Sequence, residues 1–187
     1  MEPFEYVVVL TSLILGLGIA QILTSVADIV SNARNVKLGW AHSFMAFVVF
    51  VNHIQEWWFS YQYAHTVEVW TLQLVLFLLV YPTFLYLLAR MLFPTGLRGH
   101  ETDLKSYYYD QWPWFFSLYL AIPIVSFFQN TLISGLSVMS QVSQITLVLT
   151  YGAFLVFNIR NRLAHIIFMG IQAAAWVAYL VFEASTL

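Results

Sequence analysis

The sequence predicts an all-α, polytopic membrane protein with six transmembrane helices, and three observations predict it. Of 187 residues, 61% are hydrophobic and only 9% charged, where soluble domains carry about 25% charged residues. The apolar residues fall into six runs, each long enough for the roughly 20 residues of one bilayer crossing. The connections are short, so residues 1–187 form a single transmembrane domain with no room for a separate extramembrane unit.

The first run, Phe4 to about Val30, follows Glu2 and Glu5 where a secretory signal would carry basic residues, and no small-residue cleavage site follows it; it reads as a retained helix. The second covers about Leu38 to Tyr61 and the third about Val69 to Phe93, ended by Pro94 and Gly96. These two make a hairpin. Residues 94–111 read as a polar cytoplasmic loop. The fourth helix begins at Trp112 with Pro113 in the tolerated first turn and stops near Asn130, before a turn at Ser134 and Gly135. The fifth covers about Leu136 to Ile159, and the sixth runs from beyond Arg162 to about Glu183.

Every basic residue lies in an alternate connection or its flank: Arg34 and Lys37, then Arg90, Arg98 and Lys105, then Arg160 and Arg162. The positive-inside rule therefore places both termini outside the cytoplasm of an inner membrane. Trp40, Trp57, Trp58, Trp70, Trp112 and Trp114 fall near helix ends as an aromatic belt, and only Trp176 sits deeper. The basic and aromatic residues of the 94–111 loop are expected on anionic headgroups, or against a protein partner. A net charge of −2 lacks the basic excess that nucleic acid requires. The absence of Cys excludes disulfides, thiolate metal sites and Cys nucleophiles.

Ser12, Gly16, Ala20 and Thr24 in helix 1, and Gly170, Ala174 and Ala178 in helix 6, repeat small side chains every four residues. They predict close helix contact, either between helices 1 and 6 of one chain, the plainer expectation, or between chains of a homo-oligomer. Pro82 and Pro123 fall inside helices and release the carbonyls of Leu78 and Tyr119. Residues 79–85 align with 149–155, and the same offset pairs Arg90 with Arg160. A hairpin repeat would make helices 2 and 3 and helices 4 and 5 parallel copies, with 6 and 1 as a permuted third.

Polar side chains inside apolar runs are costly and are the default candidates for function. Helix 2 carries Asn52, His53, Gln55 and Glu56 in its outer half, with His53 and Glu56 on one face. A partly desolvated carboxyl group titrates nearer neutral pH, as an imidazole does, so this pair reads as a proton- or cation-responsive site. The alternative is an interfacial polar cap beside Trp57 and Trp58. Helix 5 carries a stripe of Ser137, Gln141, Gln144, Tyr151 and Asn158, which must face other helices or water. With Gln129, Glu5 and Glu183 these residues predict an acidic outer vestibule; hydrogen bonding between helices accounts for the stripe equally well.

His42 and His165 lie at similar depth and are the pair that would hold a haem. Satisfied core or interfacial histidines are the ordinary expectation, and neither a cofactor nor a metal is predicted. Between the polar ends lies a dry belt whose few polar members are Gln172, Thr146, Thr150 and Tyr119, so no continuous proton relay is visible. No hydrolase triad, nucleotide fingerprint or zinc-protease motif occurs, and an enzyme is not expected.

Pro3-Phe4-Glu5-Tyr6-Val7, Leu15-Gly16-Leu17-Gly18 and His53-Ile54-Gln55-Glu56-Trp57-Trp58 together resemble a group of small six-helix bacterial integral membrane proteins to which no activity is attached. The resemblance implies a bacterial origin and no chemistry. In architecture alone the chain is similar to proton-gated urea channels, without a shared motif. The leading expectation is a channel or small transporter for a small neutral solute or a cation. The alternative is a non-transporting subunit or sensor that binds a partner through residues 94–111 and the small-residue faces.

Overall fold

The computed structural model describes residues 3–97 and 101–184, with the side chains at 176 and 179–184 outside that description. Glu2, Arg98, His100 and the side chains of Trp176 and Glu183 thus lie outside the described residues. The chain is helical throughout: α1 (Pro3–Ser31), α2 (Trp40–Ser60), a single turn α3 (Tyr63–Thr66), α4 (Leu72–Met91), α5 (Leu104–Leu132), α6 (Val142–Val156) and α7 (Arg162–Ala184). Two short parallel strands, β1 (Val36–Lys37) and β2 (Thr102–Asp103), are the exception.

Among the described residues, α1, α4, α5 and the segment Val138–Val156 are long and apolar enough to cross a membrane. The segment Arg162–Ala175 is a shorter apolar stretch. Long as it is, α2 is diluted by the polar group Asn52, His53, Gln55 and Glu56.

α5 corrects the sequence reading most. It starts at Leu104 rather than Trp112, capped by Asp103, whose Oδ1 accepts from the Ser106 amide at 2.9 Å. Half of the expected 94–111 loop is therefore helix, and Pro113 lies in the helix interior. Leu104, Tyr108, Trp112, Phe115, Phe116 and Tyr119 form one buried stripe at helical spacing, and its packing outweighs the broken bond at Pro113. Tyr108 and Trp112 are core residues rather than headgroup rings, whereas Trp40, Trp57, Trp58 and Trp114 are exposed, Trp114 well inside α5 rather than near a helix end.

α4 lies between α1 and α5, while α2 crosses α1, α4, α5 and α7. α6 pairs with α5, and α7 meets both through rings such as Phe168 against Tyr151 at 5.0 Å. α1 packs on α4 and α2. Among the described residues no close α1–α7 pairing completes a third hairpin. Gly16, Ala20, Gly170, Ala174 and Ala178 are exposed, so the small-residue stripes do not join within the chain.

At the basic end the connections are stitched together. β1 pairs Val36 with Thr102 and Lys37 with Asp103, and Asn32 Nδ2 donates to the Leu97 carbonyl at 2.8 Å. A side chain at Gly39 would place its Cβ 2.7 Å from the Lys105 Cα, so only glycine lets these backbones meet.

Candidate functional site

The C-terminal end of α2 faces the start of α1. On α1, Phe4, Val7, Val8 and Thr11 recur at helical spacing and turn toward Glu56 and Ser60 of α2, with Tyr63, Trp70 and Leu78 completing the wall. The result is a cleft of about 280 Å³, open space at its mouth included, in which the room for a water-sized group is about 10 Å³, enough for about one water. The Phe4 ring stands 6.2 Å from Trp70 and 6.5 Å from Tyr61, centroid to centroid.

Glu56 is the one acid on this wall, and among the described residues its carboxylate meets no hydrogen-bond donor or cation. Two of the three hydroxyls on the wall direct their protons elsewhere: Thr11 Oγ1 donates to the Val7 carbonyl at 3.2 Å and Ser60 Oγ to the Trp57 carbonyl at 2.7 Å, while Tyr63 is the third. Tyr63 and Tyr81 lie within electrostatic reach of Glu56. Burial and the Glu56 charge push the Tyr63 phenol well up, so it stays protonated.

The remaining expected vestibule residues do not gather at this cleft. His53 faces α1 as Glu56 does, but deeper and fully buried; its Nδ1–H donates to the Val49 carbonyl at 2.7 Å. Its Nε2 has no partner and abuts Gly18, where any Cβ would collide with the imidazole. Asn52 Nδ2 donates to the Tyr119 hydroxyl at 2.7 Å. Gln129 Nε2 donates to the Phe77 carbonyl at 2.9 Å, next to the Leu78 carbonyl that Pro82 releases.

Gln141 is buried and donates to Thr131 Oγ1 at 2.9 Å, fastening the α5–α6 connection, with its Oε1 unpartnered. Gln144 is half-buried and accepts from Ser143 Oγ at 2.7 Å. Glu5 is exposed in the first turn of α1. The expected stripe on helix 5 breaks because α6 covers only Val142–Val156, leaving Ser137 as the cap of a short 3-10 turn of helix, Val138–Gln141, and Asn158 in a turn. Of the described residues expected in the vestibule, Glu56 alone lines the cleft, while Asn52, His53, Gln129 and Gln141 each bond to the fold.

No family model, curated protein or solved structure matches this chain. Its chemistry rests on its own residues.

Two arrangements escaped the sequence. In mid-bundle, Asn52 holds Tyr119, whose ring lies 4.8 Å from that of Tyr151, and the Tyr151 hydroxyl donates to Gln172 Oε1 at 2.9 Å. This polar bridge crosses α2, α5, α6 and α7. At the basic end His165 sits among the rings of Tyr108, Tyr109, Trp112, Phe116 and Phe154, with centroids 5.0 to 5.8 Å away. Its Nε2–H donates to the Ile159 carbonyl at 2.8 Å, and its Nδ1 accepts from the Tyr108 hydroxyl at 3.0 Å. His42 Nε2–H donates to the Leu92 carbonyl at 2.7 Å, where α4 ends. Both histidines suggested for a haem thus use ring nitrogens to bind free carbonyls at chain turns.

Proposed function

We propose that the chain is a six-crossing inner-membrane protein with both termini outside the cytoplasm, and that it passes a small solute, foremost a cation, received at the Glu56 cleft. The observation that carries this reading is an acid with no protein counter-charge or donor among the described residues, walled by rings and apolar side chains. An ionised carboxylate in such surroundings is costly unless something arrives to pair with it. The six-crossing topology draws support from α2 and α7, whose 21 and 23 residues measure about 30 to 35 Å at the helical rise. It also draws support from Arg34, Lys37, Arg90, Lys105, Arg160 and Arg162, all at helix ends on the stitched side.

The test is reconstitution in liposomes, comparing wild type with Glu56→Gln over about pH 5 to 8, the range in which histidine titrates. Wild type should pass at least one small solute faster than empty vesicles, and Glu56→Gln should lower that rate at least tenfold. Wild-type permeability equal to empty vesicles for ammonium, monovalent metal ions, urea and water defeats the proposal.

A second reading, a subunit that docks to others in the membrane, is favoured by the outward-facing Gly16, Ala20, Gly170 and Ala174. Purification in mild detergent separates the cases: a closed homo-oligomer suits a transporter, and a stoichiometric companion of different sequence suits the subunit.

A further inference from the structure

Resting on that reading of the Glu56 cleft, we infer that its ligand is a small ammonium-type cation, with primary alkylammonium as the chemical class. Three features of the wall select it.

The first is charge. Glu56 is the single acid, and Thr11 and Ser60 turn their hydroxyl protons to their own helix backbones. What they leave toward the cleft is acceptor capacity. Together with the acid, these acceptors favour a ligand that donates several N–H bonds over an anion.

The second is the rings. Phe4, Tyr63 and Trp70 line the cleft, and the Phe4 ring stands 6.2 Å from Trp70 and, outside the lining, 6.5 Å from Tyr61. Aromatic faces attract ammonium groups through the ring quadrupole. Bare metal ions such as calcium instead require six or more oxygen ligands, more than the one carboxylate and three hydroxyls of this wall provide. Among the described residues no cluster of His, Asp or Glu could hold a metal.

The third is size. The room for a water-sized group in the cleft is about 10 Å³, which admits a compact head group. Val7, Val8 and Leu78 line the cleft as an apolar wall for a short alkyl tail. A tetra-alkylated nitrogen is too large for that room, and a neutral amide leaves the carboxylate charge unpaired.

The experiment is equilibrium binding of radiolabelled methylammonium to the purified full chain in mild detergent, at constant ionic strength. Competition by sodium, potassium, tetramethylammonium and urea is measured alongside. Saturable binding is expected, displaced by ethylammonium and not by equal concentrations of sodium or urea. Glu56→Gln should abolish it. Trp70→Leu, at a partly exposed position, should weaken it about threefold to tenfold. Unchanged elution and thermal transition certify each variant as folded.

Methylammonium binding without vesicle flux upholds the ligand class and removes the transport reading. Glu56-dependent flux of another solute with no methylammonium binding overturns the class and leaves transport standing. Displacement by sodium at equal concentration, or binding undiminished in Glu56→Gln, also overturns it.

Discussion

His165 and Glu56 stand at opposite ends of one bundle, and each is an ionisable side chain set among aromatic rings. Around His165 five rings close in, and both imidazole nitrogens are bonded, one to the Tyr108 hydroxyl and one to the Ile159 carbonyl. Around Glu56 the rings stand apart, a water-sized gap remains, and the Thr11 and Ser60 hydroxyls have turned their protons away. Aromatic surroundings therefore do not by themselves mark a site. What distinguishes the two is whether the polar atoms are already satisfied. A satisfied group ties elements together, while an unsatisfied one with space beside it is available to a ligand.

That contrast can be broken by substitution. The largest effect is expected at Phe116, whose ring touches Trp112, Tyr151, Phe154, His165 and Phe168. Phe116→Ala should cost about 3 to 5 kcal/mol of stability, read as a lowered thermal midpoint in detergent. Methylammonium affinity per folded molecule should be unchanged; an altered affinity would mean that the two ends are coupled.

Gly18→Ala comes next. Its new methyl meets the His53 imidazole, and overpacking of this kind costs about 1 to 3 kcal/mol. Adding His53→Ala should return most of that loss, and a double variant no better than the single one would show that His53 is not the obstacle. The smallest effect is expected at Tyr119→Phe, which removes the partner of Asn52. Hydrogen bonds between membrane helices average about 0.6 kcal/mol, so a thermal shift of only a degree or two is anticipated. A large fall would promote the mid-bundle bridge to a principal support of the fold.

Legibility from sequence followed how local the determining signal was. α1 was readable to within a residue at each end because Phe4 to Val30 is nearly unbroken apolar sequence. The start of α5 was not. Lys105, Ser106, Asp110 and Gln111 obscured the buried stripe through Leu104 and Tyr108, and Pro113 imitated a first-turn proline. Glu56 stood out as an acid within an apolar helix. Its ring neighbours Phe4 and Trp70 did not, because which faces of α1 and α2 meet is set by packing between distant segments. The same holds for Asn52, Tyr119, Tyr151 and Gln172, which lie on four helices and whose partnership depends on the rotation of each. Gln129 and Gln141 looked functional for the reason Glu56 did, and only their bonds to the Phe77 carbonyl and Thr131 reveal them as fasteners.

The early start of α5 has a mechanical consequence. Its 29 residues reach about 43 Å at the helical rise, against about 30 Å of bilayer hydrocarbon. The surplus forms a rigid foot, and the pairing of Val36 with Thr102 and the glycine-only approach of residue 39 to Lys105 clamp the ends of α1 and α2 to it. Tilting α5 as a lever drags the base of α1 and α2 with it, and those two helices carry the opposing walls of the cleft at their far ends.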